Sequence, residues 1–105
     1  MRRFGQMKLI GIEKLVEFWE AKRDAENALR VWIQNVRQAV WKNPAETHLT
    51  YRHADLVGSC TVFNVRGNNY RLIVLINYER EVVEVLHILT HKEYDRNKWK
   101  KDCNC

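Results

Sequence analysis

The sequence predicts an α+β domain in which two N-terminal helices pack on one face of a small antiparallel β-sheet, in the order β-α-α-β-β-β. Three observations point there. Apolar residues recur at helical spacing through the first half of the chain. From Thr61 the pattern changes to strand alternation and continuous apolar runs. Short turn sequences separate those runs, and short connections join sequential strands as antiparallel hairpins.

Residues 7–10 read as a short strand ended by Gly11. Ile12, Leu15, Val16 and Trp19 follow at i, i+3, i+4 and i+7, which places them on one helix face. Lys22 and Arg23 close that pattern. Asp24 is expected to N-cap the second helix, because its carboxylate can accept from the free N–H groups of a first turn. Ala25, Ala28, Leu29, Trp32, Val36, Ala39 and Val40 form that helix's apolar stripe, with Arg30, Gln34, Arg37 and Gln38 opposite. Pro44 disfavours helical geometry at Asn43, so the helix is expected to stop near Lys42. Residues 44–59 lack sustained periodicity and read as a loop with a short turn of helix.

Thr61, Phe63 and Val65 alternate with Val62, Asn64 and Arg66, as in a strand. Gly67-Asn68-Asn69 is turn material. Residues 70–78 contain Leu72-Ile73-Val74-Leu75-Ile76, the unbroken apolar run of a central strand covered on both faces. Glu79-Arg80-Glu81 is a second tight connection, and residues 82–90 form the last strand. Residues 1–6 read as a loose leader and residues 96–105 as a flexible tail. One sheet face takes the helices. The other, partly apolar, is expected to stay open for a ligand.

A chain of 105 residues forms one domain. Its net charge of +5 and sequence pI of about 9.3 create a positive field that attracts polyanions, RNA or DNA first. No apolar run is long enough for a membrane span. The stretch from Met1 to Met7 lacks the apolar region of a secretory signal, so the cytoplasm is the expected location. The cysteines, Cys60, Cys103 and Cys105, are odd in number and show no disulfide framework, which suits a reducing cytosol. Cys103 and Cys105 make a C-x-C without further ligands and read as part of a frayed tail. No metal motif, phosphate-binding glycine loop or nucleophile elbow is present, so no metal or cofactor is expected. His48, His53 and Asp55 read as loop polar residues, and His87 as a residue of the strand.

The end of the last strand is richer. Thr90-His91-Lys92-Glu93-Tyr94-Asp95 gathers an imidazole, an amine, a phenol and carboxylates within six positions. Antiparallel pairing can bring Asn64, Arg66, Asn68 and Arg71 of the neighbouring hairpin beside them. A rigid sheet end suits a site. The same pattern also describes a merely solvated strand end.

These residues carry a family resemblance. Phe63-Asn64-Val65-Arg66-Gly67-Asn68-Asn69-Tyr70-Arg71-Leu72 resembles the F-N-(I/V)-x-G-N-x-(Y/L)-R-(L/V) hairpin of HigB-family toxins. Thr90-His91-Lys92-Glu93-Tyr94-Asp95 matches that family's closing T-H-x-E-Y-D. The segments Phe18-Trp19-Glu20, Asp24-Ala25-Glu26, Trp41-Lys42-Asn43-Pro44-Ala45, Tyr51-Arg52 and Asn77-Tyr78 are also similar. The resemblance spans nearly everything from Met7 to Asp95. It implies a RelE-like fold and an endoribonuclease (an mRNA interferase) that cuts messenger RNA, usually on the translating ribosome, and so inhibits translation. It also implies inhibition by a cognate HigA-type antitoxin with a helix-turn-helix domain. Leu86 departs from the pattern, since the family often has arginine there to contact phosphate.

An RNase working without a metal needs a base for the 2′-OH proton, cations for the crowded phosphate and an acid for the leaving 5′ oxygen. Arg71 is the expected phosphate clamp, because guanidinium offers a forked pair of donors. Arg66 and Lys92 assist it. His91 suits acid–base work near neutrality. Tyr94 and Asp95 are candidates to orient the imidazole, the 2′-OH or a base. Asn64 and Asn68 either bond sugar and base edges or shape the hairpin. Structural alternatives stand beside these roles: Asp95 as a cap, and Arg71 paired with Glu93 or another carboxylate. At the level of the whole protein the alternative is a non-catalytic module, a decayed toxin that binds nucleic acid or protein, and Leu86 favours it.

Overall fold

A computed structural model describes residues 6–105. The leader expected over residues 1–6 therefore lies, but for Gln6, outside the described residues. Strand β1 (Lys8–Ile10) leads through Gly11 into helix α1 (Ile12–Ala21). Gly11 is required at that corner. Its φ is +90°, and a Cβ there would meet the Val85 carbonyl oxygen at 2.9 Å. Leu15 and Trp19 are buried on α1, with Ile12, Val16 and Phe18 packed beside them, the face its spacing predicted.

A 3₁₀ turn (Arg23–Ala25) precedes helix α2 (Glu26–Gln38). Asp24 does not cap α2, whose N-cap is Ala25 with no side-chain hydrogen bond. The Asp24 carboxylate instead accepts from the Tyr70 hydroxyl at 2.6 Å and pairs with Arg66 at 3.2 Å. Helix α2 also ends earlier than Lys42, at Gln38, because Ala39 turns to extended geometry. Pro44 opens a helix rather than closing one. It stands in the first turn of α3 (Pro44–Thr50), where its missing N–H costs nothing. Asn43 caps that helix by accepting from the Glu46 N–H at 2.9 Å.

The sheet has five strands in the order β1-β5-β4-β3-β2. β2 (Asp55–Val57), β3 (Cys60–Val65), β4 (Tyr70–Asn77) and β5 (Val82–Thr90) pair antiparallel. β1 joins β5 in parallel, Lys8 beside Val82 and Ile10 beside Glu84, so the sheet is mixed rather than wholly antiparallel. β4 is the central strand, as its apolar run predicts. A register shift between Ile73 and Val74 leaves Leu86 as an extra residue on β5.

Alternation along the strands builds two cores. On the helix side, Leu15, Trp19, Leu29, Trp32 and Val36 meet Phe63, Leu72, Val74, Val83 and Val85. Each fully buried side chain of this size contributes roughly 1.5–3 kcal/mol. On the other side, Cys60, Val62 and Ile73 pack against Trp99 and Cys103, with Leu86 and Leu89 at the margin. This corrects two expectations. The second face is not left open over its whole length. Nor are residues 96–105 a flexible tail, since Lys98–Cys103 form a 3₁₀ helix with Trp99 and Cys103 buried. Cys60 and Cys103 are joined as a disulfide, which the odd cysteine count concealed. Cys105 is free and exposed.

Candidate functional site

The last strand ends in a capping box. The Thr90 hydroxyl accepts from the Glu93 N–H at 3.2 Å, and the Glu93 carboxylate accepts from the Thr90 N–H at 2.9 Å. This reciprocal pair starts helix α4 (His91–Asp95) directly at the strand end. Thr90 and Glu93 thus have a structural task, and they orient the residues between and after them. His91 and Asp95 are four apart and share one helix face. The His91 Nδ1 lies 3.0 Å from the Asp95 carboxylate, with both side chains more than half exposed. With Nδ1 engaged, Nε2 is left as the nitrogen that can take a proton.

Arg71 stands on β4, on the face away from α1 and α2. Its Nη1 donates to the Asn68 carbonyl at 3.0 Å and the Tyr70 carbonyl at 3.2 Å. Its guanidinium carbon lies 5.4 Å from the centre of the Tyr94 ring, a cation–π contact. Among the described residues Arg71 has no carboxylate partner. Glu93, the partner the sequence offered, is occupied by the capping box. The turn before β4 ties the two groups together. Asn68 holds Arg71 through its carbonyl, and the next residue, Asn69, accepts from the His91 N–H at 3.2 Å.

Burial raises the Tyr94 phenol above its ordinary pKa. The Arg71 charge opposes the shift, and Asp55 and Asp95 add to it. Tyr94 is therefore a protonated donor at neutral pH and not a base. Lys92 is exposed on α4 and makes no ion pair among the described residues.

Asn64 sits directly across from Arg71 in the β3–β4 register. It also borders a hollow of about 660 Å³ beyond the start of β2, rimmed by Arg52, His53 and Asn68 above Tyr51 and Phe63. Arg66 is placed elsewhere. It has a φ of +51° in the turn, and its guanidinium pairs with Asp24 on the helix side. The structure thus sets Arg71 against Tyr94 and pairs His91 with Asp95 on the short helix that also carries Tyr94 and Lys92. Asn68 holds Arg71 through its carbonyl, Asn64 lies opposite it in register, and Arg66 is set apart. His53 passed as a loop residue in the sequence. Only the aromatic neighbours Tyr51 and Phe63, far apart in sequence, would have marked its hollow. A larger groove between α1, α2 and β1 lies away from these groups, and its Arg23 and Arg30 are both paired with Glu26.

A mixed five-stranded sheet with α1 and α2 packed on one face is a RelE-like architecture. The chain belongs to the HigB_toxin family, the RelE-like toxic component of a toxin-antitoxin system, whose model matches residues 25–97. Membership implies an antitoxin partner. A search of curated proteins finds no match. No helix among the described residues is long and apolar enough to cross a membrane.

Proposed function

We propose that this protein is an endoribonuclease that cuts messenger RNA on the translating ribosome, in the cytoplasm, and is restrained by a HigA-type helix-turn-helix antitoxin. The observation that carries the reading is Arg71, a cation held by two backbone carbonyls against the ring of Tyr94 and, among the described residues, paired with no carboxylate. The forked donors of a guanidinium suit phosphate oxygens. A guanidinium against the Tyr94 ring, with a histidine–aspartate pair on the helix that carries that ring, suits a phosphodiester.

In the proposed step, the His91 Nε2 takes the proton of the 2′-OH. The freed oxygen attacks phosphorus, and the bond from phosphorus to the 5′ oxygen breaks. Arg71 and Lys92 stabilise the extra charge on the phosphate oxygens. Tyr94, protonated at neutral pH, gives its proton to the leaving 5′ oxygen, and after release the proton on His91 passes to solvent while the phenolate takes one back. Asp95 holds the imidazole through Nδ1. Asn64 and Asn68 contact sugar or base edges. No metal enters the scheme. The products are a 2′,3′-cyclic phosphate and a free 5′-hydroxyl.

The test is cleavage of ribosome-bound messenger RNA by the purified Arg71→Ala, His91→Ala double variant, with folding checked by circular dichroism. The expected loss is at least a hundredfold, since general acid–base catalysis alone contributes about 10²–10⁴. A folded double variant that cuts at the parental rate contradicts the assignment.

A further inference from the structure

We infer that the C-terminal 3₁₀ helix Lys98–Cys103 is a positioning element of the site, with Trp99 as its positioning residue, locked in place by the Cys60–Cys103 bond and released by a dithiol reductant. The inference rests on the proposed RNase reading for its rate readout and on geometry for the rest.

The Tyr94 ring contacts two partners. Arg71 lies against it, and the Trp99 indole stacks on it with centroids 4.9 Å apart and planes at 14°. The Trp99 indole N–H also donates to the Tyr94 carbonyl at 3.0 Å. Trp99 is almost wholly buried, against Val62 and Ile73. The indole therefore fixes where the phenol stands, and the phenol shares a surface with the phosphate clamp. Without Trp99, Tyr94 would keep only the Arg71 contact and a five-residue helix to hold it.

The segment that delivers Trp99 needs outside support. A 3₁₀ run of six residues is longer than such helices usually sustain. Its supports converge on the β2–β3 corner. Cys103 is bonded to Cys60 of β3. The Ser59 N–H donates to the Cys103 carbonyl at 2.8 Å, and the Asn104 amide donates to the Ser59 hydroxyl at 3.1 Å. Asp102 meets His87 of β5 at 2.8 Å. Gly58 makes room for all of this. A Cβ at that position would fall 2.0 Å from the Cys103 carbonyl oxygen. The corner is thus shaped to receive the C-terminal backbone. The family match ends at Asn97, one residue before this helix, so each support joins a residue beyond the matched span to one within it.

Disulfides are rare in a reducing cytosol, and the bond makes the strap conditional there. A dithiol reductant attacks one sulfur and forms a mixed disulfide. Its second thiol then closes its own disulfide. Cys60 and Cys103 are left as thiols, and the reductant is oxidised by two electrons. The covalent tie between β3 and the 3₁₀ helix is lost, and the Tyr94 ring loses its fixed backing.

The experiment compares oxidised and dithiothreitol-reduced protein carrying Cys105→Ser, which removes the third thiol from exchange. Two readouts are followed: cleavage of ribosome-bound messenger RNA, and the alkaline absorbance titration of Tyr94, assigned by difference against Tyr94→Phe. Reduction is expected to lower the cleavage rate at least tenfold and to move the Tyr94 midpoint down toward its ordinary value. Trp99→Ala, kept oxidised, should behave like the reduced protein. Trp99→Phe, which keeps a flat ring at the stack, should hold the rate within threefold. Unchanged rate and unchanged titration after reduction, or a Trp99→Ala variant matching the parent in both, would overturn the inference. If the oxidised parent cuts no RNA, the enzymatic reading fails by itself, and the Tyr94 titration still decides whether the strap positions the phenol.

Discussion

Tyr70→Phe removes one oxygen from the boundary between the α1–α2 corner and the sheet. The ring is 8% exposed and meets Phe18 edge-on at 5.0 Å, and phenylalanine keeps both the burial and the contact. What is lost is the 2.6 Å hydrogen bond to Asp24, 46 positions away in sequence. A hydrogen bond to a charged group contributes about 1.5–3 kcal/mol. The Asp24 side chain is 44% exposed, so water can replace the phenol and the lower end, about 1.5 kcal/mol, applies. For a domain of this size that corresponds to a melting temperature lower by roughly 6–12 °C. The pH dependence carries a second signature. The hydrogen bond to Asp24, then burial and the Asp24 charge, raise the folded Tyr70 pKa above its unfolded value near 10, against a smaller opposing effect of Arg66. The folded state therefore holds this proton more tightly. The stability is fully present below pH 10 and falls as pH rises through the folded pKa. Urea unfolding at pH 7 and at steps above pH 9 measures both effects. Tyr70→Phe should be less stable at pH 7 and should show a shallower alkaline decline than the parent. Stability equal to the parent's at pH 7 with an unchanged alkaline slope would mean that the bond does not anchor the corner.

Two further outcomes follow from the same geometry. Thr90→Ala removes the N-cap of a five-residue helix, a loss of about 1 kcal/mol, and should reduce RNA cleavage at least tenfold by loosening the His91–Asp95 pair, with Thr90→Ser restoring it. Cys60→Ala with Cys103→Ala opens a loop of 43-residue separation, and urea unfolding should show a loss of about 4 kcal/mol from chain entropy.

Much of the fold is local and therefore legible. Leu72-Ile73-Val74-Leu75-Ile76 reads as a strand covered on both sides, and β4 is central. The face of α1 follows from Leu15 and Trp19 alone. What escapes is set by partners far along the chain. β1 is three residues long and finds β5 more than seventy positions later, so nothing in its own sequence states that the pairing is parallel. β2 is equally short and takes its register from β3. Asp24 has the chemistry of an N-cap, but a phenol and a guanidinium from the hairpin outcompete the helix N–H groups. The segment Trp99-Lys100-Lys101-Asp102-Cys103 reads as solvated because three of its five residues are charged. Its burial depends on one indole and one sulfur meeting the far sheet face. The closing motif was legible as chemistry but not as division of labour. Thr90 and Glu93 build the helix that carries His91, Tyr94 and Asp95.

In the proposed reaction Arg71 and His91 serve one phosphodiester through the neighbouring 2′-OH. The most direct measurement uses a messenger RNA with a single 2′-deoxynucleotide placed at the mapped cut site, on translating ribosomes, with fragment ends read by mass spectrometry. The all-ribose transcript should yield a 2′,3′-cyclic phosphate, and the deoxy position should stay uncut. Cleavage of the deoxy site at the parental rate would rule out attack by the 2′-OH.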